Sequence, residues 1–361
     1  MPNFSGTLNS NEIFASLFNM IISQQVFADN IAGTKSTLVD MARVDGNQFG
    51  DQKLYYSTDV LSSVPWLNDL EAQNLLAIHR PAAPKVQSIV LNQFRQISLT
   101  VDNYLSKRAF STEGAFASFN SVMLGWIRET KRIYDATLYN SYIGTANSLV
   151  GKQNITVALA DDDAGTEATN RLQAQAIAKK MADLLVELED VSRDYNDYGH
   201  LRSYNSDDLL FVWNSEWVNK INKFDLPTIF NKEGLMDKFA QYTLPARYFG
   251  NVNTSGGTTG GANVTVRSLI EKDYGSVHVF PGDLLPGNTQ YDANETFGED
   301  PSIICKVMHK RSVPIMSAFE VGTSFFNPKS LTESHFLTWS YNSLEYLKNY
   351  PFITIKGQSA T

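Results

Sequence analysis

From Ser111 to Gly144, apolar and small residues recur at three- and four-residue steps: Phe116, Phe119, Met123, Ile127, Thr130, Ile133, Thr137 and Leu138. That spacing draws one continuous stripe along an α-helix. Trp126, Tyr134, Tyr139 and Tyr142 widen the stripe, while Arg128, Glu129, Lys131, Arg132 and Asp135 fall mostly off it. Ser111-Thr112-Glu113 offers a hydroxyl cap and an acid facing the positive end of the dipole. Gly144 can close the helix in the left-handed conformation at no steric cost. A helix of about thirty residues is roughly 45 Å long, far beyond the usual globular length. It either crosses a large domain or works as a beam.

The flanking patterns differ. Before the helix, residues 1–45 read as an extended start and a helical arm, with Ile13, Phe14, Leu17, Phe18, Ile21 and Ile22 on its apolar face and a second short helix over Leu38 to Val44. Residues 46–80 are turn-rich, with strand-like runs at Lys53–Leu61 and Asn74–His79, as in a long ribbon. Residues 85–105 are mainly strand; Ile97, Leu99 and Val101 alternate with Ser98, Thr100 and Asp102. After the helix, residues 151–300 read as an α/β unit. It comprises a strand at Asn154–Leu159, a turn at Asp161–Gly165 and a helix from Glu167 to Tyr195 with Leu172, Ile177, Met181, Leu184, Leu185, Leu188 and Val191 on one face. A buried strand at Leu209–Trp213 follows, then a short helix around Trp217, Ile221 and Phe224, an open loop near 251–262 and a strand at Val277–Phe280. Strands return at Ser302–Lys310, Val313–Val321, His335–Tyr341 and Phe352–Lys356, with a turn at Phe325–Pro328 and a short polar tail from Gly357.

Composition narrows the function classes. Of 361 residues, 43% are hydrophobic and 19% charged, which is globular and not disordered. A net charge of −8 argues against general nucleic-acid affinity, which needs a basic face. The single cysteine, Cys305, excludes an intrachain disulfide and sits in the apolar run Ile303-Ile304-Cys305, as a core residue does. No apolar run reaches transmembrane length. Met1-Pro2-Asn3-Phe4-Ser5 has no basic segment ahead of an apolar core, so synthesis and use on the cytoplasmic side are expected.

Chemistry is sparse. Gly256-Gly257-Thr258-Thr259-Gly260-Gly261 lacks the Gly-Lys-Ser/Thr ending of a phosphate cradle. In Asp161-Asp162-Asp163-Ala164-Gly165 the glycine falls one position early for a calcium loop. His79, His200, His278, His309 and His335 are scattered, with no helical metal pair. No nucleophile elbow is present, and a thiolate is disfavoured at Cys305. The sequence therefore assigns no catalytic residue, no cofactor-binding residue and no metal ligand.

The order of parts carries more than any motif. An arm, a β ribbon, a strand, a beam helix, an inserted α/β unit and returning strands together resemble the major capsid protein fold of tailed bacteriophages, shared with herpesvirus shell proteins. Two local stretches are similar to capsid proteins of small short-tailed phages: Asp208-Leu209-Leu210-Phe211-Val212 ahead of a short helix and an apolar stretch to Phe230, and Asn327-Pro328 followed by His335, Trp339 and Tyr341. The resemblance implies an α+β fold with an N-terminal arm (1–45), an extended β loop (46–80), a peripheral domain (81–149 and 301–361) holding a spine helix at 113–143, and an axial domain (150–300). It implies a structural subunit that self-assembles through hexamers and pentamers into an icosahedral shell around viral DNA. Its partners would be itself, a scaffolding protein, a portal and head-fibre or cement proteins, with packaged DNA only as a neighbour and no membrane. It places the protein in the virion, after assembly in the host cytoplasm. Some members crosslink a lysine of the extended loop to a neighbouring asparagine; Lys53 lies in that region, but no asparagine is assigned to it. The alternatives are another virion component, such as a portal or connector, and an intracellular enzyme with a distributed site.

Overall fold

The computed structural model describes residues 37–45, 52–63, 65, 78, 80–91, 93–102, 113–160, 167–218, 240–253, 284–285, 289–290, 296–317 and 320–359. The expected arm helix at 13–22, the Asp161–Gly165 turn, Ile221 and Phe224, the glycine-rich loop beyond 253, the 277–280 strand, and most of the expected 74–79 strand lie outside these residues.

Two α-helices sandwich a five-stranded sheet. The long helix α2 (Glu113–Thr145) follows α1 (Thr37–Ala42), and α3 spans Glu167–Glu189. The sheet runs in the order β5 (Asn154–Leu159), β16 (Phe352–Ser359), β12 (Ile303–His309), β6 (Leu209–Asn214), β7 (Ala240–Leu244). Side chains alternate across a strand, and here both faces are covered. Leu210, Val212, Met308 and Phe352 pack with Tyr139, Tyr142 and Ile143 of α2 and with Leu38 and Val39 of α1. Leu209, Phe211, Trp213, Val307, Ile353 and Ile355 pack with Ile177, Met181, Leu184 and Leu188 of α3. This double cover explains why Leu209–Trp213 is continuously apolar. Cys305 belongs to the α3 side, fully buried, and burial pushes its thiol well above the usual range.

A second sheet lies outside this body. Strands β14 (Glu320–Asn327), β15 (Thr332–Tyr341) and β4 (Gln93–Asp102) pair antiparallel, with all ten residues of β4 in register with β15. A two-stranded ribbon joins β2 (Gln52–Ser57) to β3 (Lys85–Val90). Strand β1 (Arg43–Asp45) pairs parallel with β13 (Ile315–Ser317), tying residues beyond α1 into the body.

Several expectations change. The long helix is present, but Gly144 is not its left-handed cap. The helix runs through it to Thr145, and a Cβ at Gly144 would stand 1.9 Å from the Tyr248 carbonyl oxygen. The glycine permits close approach of two backbones. Lys131 and Asp135, placed off the apolar stripe, are 8% and 4% exposed, because α1, β13 and β15 wrap this half of the helix. Helix α3 ends at Glu189, short of Tyr195: the Tyr204 N–H takes the Leu188 carbonyl and Asp190 Oδ1 accepts from the Val191 N–H. Leu172 and Val191 are exposed, off its buried face. Phe325 and Phe326 are not in a turn but extend β14, opposite Ser334 and Glu333. Strand β2 pairs with β3. The last strand runs past Lys356 to Ser359. Finally, residue 300 does not separate two sheets: β12 and β16 form the middle of the sheet that also contains β5, β6 and β7.

Candidate assembly surface

The ribbon is apolar on the wrong side for a free monomer. On one face, Ser57, Gln87 and Ile89 are buried. The opposite face presents Leu54, Tyr56, Val86 and Val90, of which Tyr56 is 67% exposed. Tyr56 and Val86 sit directly opposite one another, so cross-strand contact makes one patch of them. Beyond the ribbon, Val60, Leu61 and Ile78 are also exposed. A patch of this kind marks a surface for contact.

Its base is clamped to the body. The Ser57 hydroxyl donates to Asn349 Oδ1 at 2.6 Å and lies 2.8 Å from His200 Nδ1. Asp59 accepts from Arg193 Nη1 at 2.5 Å and from the Leu201 N–H at 2.9 Å. Arg202 donates to the Thr58 carbonyl at 2.5 Å. Gln87 exchanges hydrogen bonds with the Tyr346 carbonyl and the Lys348 N–H, each at 3.0 Å. The Arg193 guanidinium, followed by the Leu201 N–H, holds the Asp59 carboxyl well below the usual carboxylate range. Burial pulls His200 below the usual imidazole value.

The three-stranded sheet keeps its apolar face inward, with Val101 and Trp339 buried. Thr100–Ser334 and Gln96–Thr338 side-chain pairs make the outer face polar. Among them stand Phe94 and Phe325, 61% and 64% exposed. At the tip of the β14–β15 hairpin, Leu331 is exposed and held at φ 54°, a left-handed conformation that a leucine adopts at a cost.

Two buried charged nodes lie beside these surfaces, the first joining the three-stranded sheet to α2 and the second inside the body. At the first, Asp135 of α2 accepts from Arg43 and from Lys131, both at 3.3 Å; Lys131 also meets Glu320 of β14 at 3.0 Å and lies over the Trp339 ring. Burial pushes the Asp135 carboxyl up, opposed by the two cations. At the second, Lys306 is fully buried in β12, and its ammonium donates to the Ala146 carbonyl at 2.7 Å, Asn147 Oδ1 at 2.9 Å and Thr354 Oγ1 at 2.8 Å. Burial depresses its pKa to about 7. The cation sits just past the C-terminal end of α2, where the helix dipole favours positive charge. The sequence reading missed this residue; the signal was a lysine alone between Cys305 and Val307.

Among the described residues, the side chains weighed for chemistry do not converge. His309 stacks on Tyr350 at 4.2 Å, and His335 lies in β15 opposite Leu99. His79 and His278 are outside the described residues. The Ser57–His200 contact is buried and its hydroxyl proton goes to Asn349, which suits a clamp and not a nucleophile. Among the described residues, no three His, Cys, Asp or Glu side chains are grouped to hold a metal, and no helix is long and apolar enough to cross a membrane. Lys53 lies in β2 with its ammonium 5.9 Å from the Tyr55 ring centroid.

A family model for the Phi29-like phage major capsid protein matches residues 5–355. The chain belongs to that family. Members of the Phi29-like major capsid family are structural proteins of the phage virion, and this chain is a subunit of its icosahedral shell that associates with copies of itself. The fold agrees. A capsid structure of Staphylococcus phage Andhra is similar at a TM-score of 0.60 and 11% identity, covering 99% of this chain and 88% of that one. A structure described as head fiber and inner core protein gp22 of native bacteriophage P68 is similar at 0.61 and 12%, covering 99% and 89%. The mature capsid of bacteriophage PhiM1 is similar at 0.50 and 8%, covering 100% and 93%. No curated protein sequence matches the chain.

Proposed function

We propose that this capsid subunit builds its shell through six- and five-membered capsomers, using the ribbon and the outer face of the three-stranded sheet as contacts between copies. The observation that carries the reading is the large apolar and aromatic side chains exposed on those two surfaces beside a body covered on both faces. Interfaces of obligate assemblies commonly bury about 2,000 Å² or more, much of it apolar and aromatic. The exposed Tyr56, Phe94 and Phe325 fit that demand.

The division of labour follows the fold. Residues 1–45 act as an arm whose end is fixed by the β1–β13 pairing, and residues 46–80 as a loop reaching over a neighbour. Residues 81–149 and 301–361 form the peripheral part around α2, and 150–300 the axial part, with β12 and β16 shared between them. Assembly takes place in the host cytoplasm. A scaffolding protein, a portal and head-fibre or cement proteins are its further partners, and the acidic chain limits adhesion to packaged DNA. Its role is mechanical and needs no catalytic group, cofactor or metal.

Electron microscopy of the purified chain tests this. Rings, shells or sheets are expected. A strictly monomeric chain at high concentration, in the presence of the other virion proteins, would sink it.

A further inference from the structure

Lys306, Asn147 and Thr354 form a closed triangle just past the end of α2. The Lys306 Nζ stands 2.9 Å from Asn147 Oδ1 and 2.8 Å from Thr354 Oγ1, and the Thr354 hydroxyl donates to the same Asn147 Oδ1 at 2.9 Å. The Asn147 Nδ2 points elsewhere, donating to the Thr145 carbonyl at 3.3 Å. Lys306 and Thr354 are fully buried, whereas Asn147 is half-buried and reaches solvent. Among the described residues Lys306 makes no ion pair, and Asp300 is engaged by Lys356 at 2.9 Å. A buried amine without a counter-ion gives up its proton readily, which is the cause of the depressed pKa of about 7.

The neutral amine has two N–H groups, which the Ala146 carbonyl and Thr354 accept. Its lone pair is then left for the Asn147 carboxamide, whose oxygen the Thr354 hydroxyl already polarises. Attack by a lysine needs these three things: a desolvated amine, an electrophile in contact, and a donor on the oxygen where charge develops. We propose that Lys306 and Asn147 join in an isopeptide bond within one chain, tying the end of α2 to β12 at the middle of the five-stranded sheet. The Lys306 Nζ attacks Asn147 Cγ. One Nζ proton passes to Thr354 Oγ1 as the Thr354 proton passes to Oδ1, giving a neutral tetrahedral intermediate. The Oδ1 proton then moves to Nδ2, the C=O double bond re-forms, the Cγ–Nδ2 bond breaks, and ammonia leaves on the solvent side of Asn147. No oxidant, metal or partner is consumed. The bond involves neither Lys53 nor a second subunit, so it stands or falls apart from the capsomer reading.

The mass of the full chain tests the bond. After incubation in the folded state at about pH 8, the chain is expected to weigh about 17 Da less than its sequence, the mass of one ammonia. Cyanogen bromide cuts after methionine, so fragments 124–181 and 237–308 are expected to stay joined under denaturing, reducing conditions. Lys306→Met and Asn147→Ala are each expected to restore the full mass and separate the fragments. Thr354→Val, which keeps the shape but loses the hydroxyl, is expected to slow bond formation at least about tenfold. A folded parent that keeps its full mass and gives separate fragments after prolonged incubation would overturn the proposal. So would the same mass loss with separate fragments, since a succinimide at an asparagine also sheds one ammonia. Where the variants fail to fold, the parent's mass and fragments decide the matter by themselves.

Discussion

In the five-stranded sheet, every residue of Leu209–Asn214 is buried; in the three-stranded sheet, every residue of Glu320–Asn327 is exposed. Both strands carry large apolar side chains. The first has a helix on each side to receive them, and the second presents Val321 and Phe325 to solvent on one side. The difference separates two tasks within one fold. On the function proposed above, the body holds the subunit together before assembly, and the outer sheet and ribbon are the contacts between copies. Substitutions in the body should therefore be read in the stability of the single chain, and those outside it in particle yield.

The largest effect is expected at Lys306. Lys306→Ala strips the partner from the Ala146 carbonyl, Asn147 Oδ1 and Thr354 Oγ1 and opens a cavity between α2 and the sheet. Urea unfolding of the unassembled chain should show a loss of about 3–5 kcal/mol. A loss below about 1 kcal/mol would mean that the end of α2 does not depend on the sheet, and the body would not be one unit. Gly144→Ala comes next. Its Cβ meets the Tyr248 backbone on a side where no flexible side chain can move away, and overpacking of this kind costs about 1–3 kcal/mol. The same unfolding curve checks it.

These two sites also show where the sequence was legible. The stripe from Ile127 to Leu138 announced a long helix because a 3.6-residue period survives any tertiary context. The order of helix, inserted unit and returning strands was legible for the same reason. The two faces of Leu209–Trp213 were legible as continuous apolarity. Burial of Lys131, Asp135 and Lys306 was not, because a charge is buried only when distant residues supply its partners, and Arg43, Glu320 and Thr354 are far away in sequence. Gly144 misled because a glycine near a helix end has two physical uses, a left-handed turn and close approach, and spacing alone does not choose between them. The exposed aromatics were hidden in the same way: Phe325 reads as a turn residue until β14 is seen at an outer edge.

The ribbon base lies between the two regions and gives a smaller effect. Asp59 and His200 both have folded pKa values below their unfolded ones. Each then binds fewer protons when folded, so its contribution rises with pH. For His200 it is complete above the usual imidazole value of about 6.5 and declines as pH falls through it; for Asp59 it persists until pH drops below the usual carboxylate value near 4. Amide exchange over Tyr56–Val60 should accelerate several-fold as pH falls from 7.5 to 5.5, after correction for intrinsic rates, while the Leu209–Trp213 amides stay protected. Asp59→Asn should reproduce the loosening at neutral pH. Equal acceleration in both segments would mean that ribbon and body open together, and the division between them would be lost.

The smallest expected effect on stability is the sharpest test of the comparison. Phe325→Ser and Phe94→Ser alter side chains 64% and 61% exposed in the single chain. Little area returns to water on unfolding, so the unassembled chain should change by no more than about 0.5 kcal/mol. In the shell the same side chains are expected to be covered by a neighbour. Truncating a buried aromatic at the centre of an interface commonly costs about 2 kcal/mol or more per contact. That cost recurs at every copy, so particle yield should collapse while the monomer's unfolding curve is unchanged. The converse result, a destabilised monomer with normal shells, would move the outer face from assembly to folding.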